Sequence, residues 1–130
     1  MANNGELNTD ILQMFDKKPL TFPIYQEAEN IILQAFPDTR IKVSKTQVSY
    51  YNKHLYAALW PPMRKIKKVE GTYIVLTFGI GYKVEDERII ESVEPYPNRW
   101  THHVLIFDPA GMDEKIMNWL REAYDFSMNK

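Results

Sequence analysis

The chain has no cysteine among its 130 residues, which excludes a disulfide framework, a thiol nucleophile and a thiolate metal site. Excess charge of one sign is also missing. Sixteen Lys and Arg against 17 Asp and Glu leave a formal net charge of −1, so no global field draws the molecule to nucleic acid or to an anionic membrane. No apolar stretch is long enough to span a bilayer, and the opening MANNGELNTD has neither the basic nor the apolar region of a signal peptide. These absences lead us to expect a cytoplasmic protein without membrane contact. Glycine is scarce, with five residues. Gly79 and Gly81 follow a strand-like run, but the third glycine of a dinucleotide fingerprint would fall at Val84, and the charged KVEDER beyond has no helical apolar face. The pair instead fits a bend at a sheet edge. No cofactor is expected, and no Gly-x-Ser-x-Gly elbow is present.

What the chain does contain is an ordinary globular composition, 45% hydrophobic and 25% charged, and the expected organisation is one domain over residues 1–130. Leu7, Ile11 and Phe15 recur at intervals of four and predict a short helix within residues 6–18. In TFPIYQEAENIILQAF, Thr21 can cap a second helix whose stripe is Ile24, Tyr25, Ala28, Ile31, Ile32, Ala35 and Phe36. Gln26, Glu27, Glu29 and Asn30 form its wet face, and Pro37 ends it. From Ile41 the period becomes two. IKVSKTQVSYY reads as a strand whose alternation slips between Val43 and Val48, predicting a bulge or bend near Lys45. Asn52-Lys53 reads as a hairpin turn and HLYAALW as the return strand. MRKIKKV is a further strand candidate, TYIVLTFGI the most apolar and central one, RIIESV another, and EPYPN a stiff loop. Ile116, Trp119, Leu120, Ala123 and Tyr124 share one face of a closing helix. The fold class follows: α+β, a mainly antiparallel sheet of about five or six strands with two N-terminal helices and one C-terminal helix packed on one face.

NRWTHHVLIF, residues 98–107, concentrates the chemical side chains. Strand alternation places Arg99, Thr101, His103, Leu105 and Phe107 on one side and Trp100, His102, Val104 and Ile106 on the other. The adjacent histidines therefore cannot hold one metal ion together, and with His54 as the only other histidine no metal site is expected. Either His102 or His103 can still serve as a general acid or base, because imidazole titrates near neutral pH.

Arg64, Lys65, Lys67 and Lys68 project to both faces of their strand candidate, as in an edge strand where lysines block unwanted pairing. Joined to Lys42, Lys45, Lys53 and Arg99, with Tyr50, Tyr51, Tyr56 and Trp60 interleaved, they also suit an anionic ligand. A small anion fits the near-neutral charge better than a long nucleic acid. If the 41–60 hairpin neighbours the 100–107 strand, then Lys45, Tyr50, His54, Arg99 and His103 face one cleft for a carboxylate or phosphate. The rival placement pairs Arg99 with Glu91 or Glu94. The leading function is thus a small ligand- or partner-binding domain with a cationic and aromatic cleft. One alternative is a small enzyme using His102 or His103 beside Lys45 or Arg99. The other is a protein–protein interaction module working through strand edges or exposed aromatics. The sequence leaves the oligomeric state open.

The stretches SKTQVSYYNKHLYAALW, VEPYPNRWTHHVLIF and NWLREAYDF resemble an uncharacterised bacterial family, domain-of-unknown-function family 5655, over residues 15–127. The length and layout are similar to those of the small α+β proteins of the YdhG-like group. The resemblance implies a stand-alone copy of that domain. It implies no activity, cofactor or catalytic residue.

Overall fold

The computed structural model of the chain describes residues 9–62 and 69–129. Leu7 of the first helical pattern, and the MRKIKK part of the basic strand candidate, lie outside the described residues.

The first helix, α1 (Thr9–Asp16), buries Met14 and Phe15. Phe15 stacks on Tyr25 with ring centroids 4.8 Å apart. A 3-10 turn over Pro19–Thr21 follows and runs into α2 (Phe22–Ala35). Thr21 stands at the N-cap position, but its backbone is already helical and its side chain makes no cap bond. Its hydroxyl instead donates back to the Lys18 carbonyl at 2.6 Å, because the 3-10 turn leaves that carbonyl within reach. Helix α2 buries Ile24, Tyr25, Ala28 and Ile32 and stops before Pro37, which supplies no N–H to continue it.

The run expected to be one strand with a bulge or bend near Lys45 is two strands, β1 (Arg40–Val43) and β2 (Val48–Tyr51), paired antiparallel on either side of a bend at that residue. A tight turn joins them. The Ser44 N–H donates to the Gln47 carbonyl at 3.0 Å, while the Ser44 hydroxyl accepts the Gln47 N–H at 3.2 Å. A true bulge lies further on, in β3 (Leu55–Trp60): Tyr50 pairs with Ala57 and Tyr51 with Leu55, which leaves Tyr56 as the extra residue. The bulge turns Tyr56 toward the helices, where its ring meets Phe36 and Tyr124.

Strand β4 (Ile74–Ile80) is the centre of the sheet, as its continuous apolar run predicts. Strand β5 (Ile89–Tyr96) extends through Glu94, Pro95 and Tyr96, residues expected in a loop. Pro95 is tolerated because β5 is an edge strand, with β6 (Arg99–Ile106) as its single neighbour. Asn98 makes the β5–β6 turn with φ at +67°, a conformation Asn adopts more readily than most residues. The six strands run in the order β1-β2-β3-β4-β6-β5, every pair antiparallel.

All three helices pack on one face. Val48, Tyr50, Ala57, Leu59, Leu76, Phe78, Val104 and Ile106 from that face form a single core with residues of α1, α2 and α3 (Glu114–Met128). Asp113 caps α3 by accepting the Ile116 N–H at 3.1 Å, and Ile116, Trp119, Leu120 and Ala123 follow at helical spacing into the core. Truncating a side chain as enclosed as Leu120 to Ala costs about 2–5 kcal/mol. The opposite, outer face of the sheet carries no helix among the described residues and is where the polar side chains converge.

Candidate functional site

Alternation puts Ala58 and Trp60 of β3, Val75, Thr77 and Gly79 of β4, and Arg99, Thr101, His103 and Leu105 of β6 on the outer face. The register aligns Ala58, Thr77, His103 and Glu91 in one row across four strands. Along it runs a chain of polar contacts. The Trp60 indole N–H donates to the Thr77 hydroxyl at 3.0 Å. That hydroxyl lies 2.8 Å from His103 Nδ1, and His103 Nε2 lies 3.6 Å from a Glu91 carboxylate oxygen.

The chemistry of the partners sets the direction of the chain. Indole only donates, so Thr77 accepts from Trp60 and keeps its one hydroxyl proton to donate, and the Glu91 carboxylate beside Nε2 favours the tautomer in which His103 Nδ1 accepts it. The imidazole proton then sits on Nε2, facing Glu91. Burial pushes the His103 pKa below its ordinary value, and the Glu91 carboxylate opposes that shift. In that tautomer the group is a neutral imidazole with its lone pair directed at a hydroxyl, which is the geometry of a general base.

Arg99 reaches the same face. Its guanidinium lies over Gly79, with Nη2 2.9 Å from where a Cβ at that position would stand. Gly79 therefore serves close approach inside a central strand rather than a bend at a sheet edge. Neither Glu91 nor Glu94 takes Arg99: Glu91 faces His103, and Glu94 accepts the Asn98 N–H at 3.1 Å. Among the described residues Arg99 has no carboxylate partner. The Tyr96 ring lies 6.0 Å from it.

The five residues expected in one cleft are distributed over several surfaces. Arg99 and His103 share the outer face. Tyr50 points the other way, fully buried beneath α2, and donates to Glu29 at 2.7 Å. Glu29, expected on the wet face of α2, also accepts from Tyr25 at 3.0 Å. Burial, followed by the Glu29 charge, drives the Tyr50 pKa well above the ordinary tyrosine value. His54 lies at the β2–β3 turn against the end of α3. There the Ser127 hydroxyl accepts the His54 N–H at 3.0 Å and also bonds the Asn52 side chain, while Asn52 Nδ2 donates to the Tyr124 carbonyl at 2.9 Å. Lys45 sits in the β1–β2 turn beside Lys17 and Lys18, at a separate cavity.

His102 is on the helix side of β6, as alternation requires, and no solvent reaches it. Its ring stacks on Phe78 at 4.8 Å, and Phe78 stacks on Trp119. Nε2 accepts the Val84 N–H at 2.9 Å, which assigns the proton to Nδ1. Nδ1 has no hydrogen bond of ordinary geometry, although the Phe78 backbone interacts favourably with the ring. Burial pushes the His102 pKa down. Among the described residues, no group of three His, Asp or Glu side chains is placed to hold a metal ion.

Thr77 is the residue of this site that reading the sequence missed. A signal was available, because it is the lone hydroxyl within the apolar run IVLTFGI of a central strand.

No helix of the described residues is long and apolar enough to cross a membrane. Comparison with curated proteins and with solved structures found no match. The model of the family described as "Domain of unknown function (DUF5655)" matches residues 12–127, a span that takes in every described strand, α2, most of α1 and all but the last residue of α3, and the chain belongs to that family.

Proposed function

We propose that the chain is a small ligand-binding domain that takes an anionic ligand on the outer face of its sheet, with Arg99 as the anchor and His103 beside it. The observation that carries this reading is the Arg99 guanidinium, half-buried over Gly79 and without a carboxylate partner among the described residues. A planar cation left in this way suits a carboxylate or phosphate, which it binds through two parallel N–H bonds. Gly79 pairs with Thr101, and Thr77 with His103, so the guanidinium and the imidazole stand one side-chain position apart along the strands. A ligand anchored on Arg99 would bring its neighbouring atoms to His103 and Thr77. Kinship with the YdhG-like proteins, a bacterial source and a cytoplasmic location belong to the same reading and rest on the sequence resemblance and the absence of cysteine.

Gly79→Ala is the sharpest test. The new methyl group would occupy the space of the guanidinium, which can swing away at little cost to folding because it is the end of a flexible side chain. Titration with acetate, malonate and phosphate, followed by amide NMR shifts, should give saturable changes at Arg99, Thr101 and His103. These should weaken about tenfold in Gly79→Ala and vanish in Arg99→Ala, a loss of at least about 1.4 kcal/mol. Equal binding by wild type and both variants would overturn the assignment.

The Thr77–His103–Glu91 row favours a second reading, that the bound ligand undergoes proton transfer with His103 as the base. Turnover of a ligand that His103→Gln still binds but no longer converts would support it.

A further inference from the structure

The lysines that flank α1 point to a second site, remote in sequence from Arg99 and His103. Lys17, Lys18 and Pro62 line two cavities, of about 490 and 290 Å³, which therefore adjoin. The larger is completed by Pro19, Leu20, Thr21 and the stretch 70–73, the smaller by Asp10, Gln13, Met14, Lys45 and Pro61. The larger volume lies within the range of ordinary small-molecule sites, roughly 300–1,000 Å³.

We propose that this cleft between α1, its following 3-10 turn and the end of β3 binds a small phosphate ester whose body is apolar or aromatic. Lys17, Lys18 and Lys45 supply three cations, and none has an ion-pair partner among the described residues. The two carboxylates of the lining, Asp10 and Glu70, are each engaged in an interaction of their own. Ammonium groups are compact point charges that gather around a dianion from several directions, so they suit a phosphate better than they suit a single flat carboxylate.

The backbone that carries these lysines is held. The Lys18 N–H donates to the Phe15 carbonyl at 3.0 Å, and the Lys18 carbonyl accepts both the N–H and the buried hydroxyl of Thr21. Lys45 lies inside the turn closed by Ser44 and Gln47. Beside the charges the lining is apolar: Pro19, Pro62, Tyr73 and Leu20, whose side chain is 73% exposed at the rim. An exposed leucine next to a cavity gives an apolar ligand body a surface to cover.

The test uses phenyl phosphate as probe, with inorganic phosphate as its charged half, against the full chain by amide NMR and calorimetry. Phenyl phosphate should shift the amides of Lys17, Lys18, Leu20 and Lys45 saturably. Lys17→Ala combined with Lys45→Ala should weaken it by about tenfold or more. Leu20→Ala should weaken phenyl phosphate and leave inorganic phosphate unchanged, and Arg99→Ala should leave the shifts of Lys17, Lys18, Leu20 and Lys45 with both probes unchanged, which separates this site from the outer face. Folding of each variant is checked by its unfolding transition. Shifts confined to the outer face, binding that survives loss of both lysines, or no saturable shift at millimolar probe would each overturn the proposal.

Discussion

Acidification from pH 7.5 to 5.5 should destabilise this protein through its paired histidines on β6, and His102 should account for most of the effect. An imidazole in the unfolded chain takes up a proton near pH 6.5. In the native state His102 is fully buried, and its Nε2 already accepts the Val84 N–H, so a second ring proton would face a donor. Burial holds its pKa below the ordinary value. Below about pH 6.5 the unfolded state therefore binds a proton that the native state refuses, and stability falls by about 1.4 kcal/mol per pH unit for each such group until the folded pKa is reached. Across the interval one such group costs at most about 1.4 kcal/mol. His103 shifts in the same direction, but Glu91 offsets part of its burial, so it adds less than His102. The loss is present at pH 5.5 and recovered by pH 7.5. The depressed carboxylates Asp86 and Asp113 titrate at lower pH and do not enter this window. Urea unfolding followed by fluorescence of Trp60, Trp100 and Trp119 measures the effect. His102→Gln keeps an acceptor for Val84 and removes the titration, so it should abolish more than half of the pH dependence. A wild-type stability that is flat across the interval, or a His102→Gln variant that keeps the full loss, would refute the reasoning. The imidazole NMR signals give an independent check: those of His102 should titrate below the ordinary histidine range.

Two further tests concern buried polar contacts. Ser127→Ala removes the hydroxyl that joins α3 to the β2–β3 turn, and should lower stability by about 1–3 kcal/mol in urea unfolding, since the His54 N–H loses an acceptor in a closed site. Tyr50→Phe deletes a single hydrogen bond to Glu29 and should cost about 1.5–3 kcal/mol. Glu29→Ala should cost more, because it strands the hydroxyls of both Tyr25 and Tyr50 in the core. An equal or smaller cost would mean that water replaces the carboxylate there.

Several elements were legible in the sequence because local chemistry decides them. The continuous apolar run of β4 requires burial on both faces, and the Ile116, Trp119, Leu120, Ala123 spacing of α3 requires a core beneath it. The expected bulge or bend near Lys45 is a bend within a turn, which marks a limit of parity arguments. A shift of alternation between Val43 and Val48 arises equally from one extra strand residue or from a four-residue turn, and Ser44 selects the turn through bonds that parity does not encode. Alternation also says which residues share a face but not which face the helices cover. That is why Tyr50 was grouped with Arg99, although its partner Glu29 lies on α2, 21 residues earlier. The pairing of Lys45 with Lys17 and Lys18 depends on how α1 meets the β1–β2 turn, which no window of sequence contains. Strand order was hidden for the same reason: β6 inserts between β4 and β5, so chain neighbours are not sheet neighbours.

That insertion has a kinetic meaning for the outer face. Among the described strands β5 hangs on β6 alone, with two interruptions in its register and most of its residues in solvent, so it opens at lower cost than the interior strands. Glu91 belongs to β5, whereas Thr77 and His103 belong to the protected interior pair β4 and β6. Each excursion of the margin strips His103 of its acidic neighbour and leaves Thr77 in place. The lifetime of the Glu91 contact is thus that of a fraying edge, and amide exchange along β5 should be far faster than along β4 and should set the rate at which the imidazole changes its electrostatic surroundings.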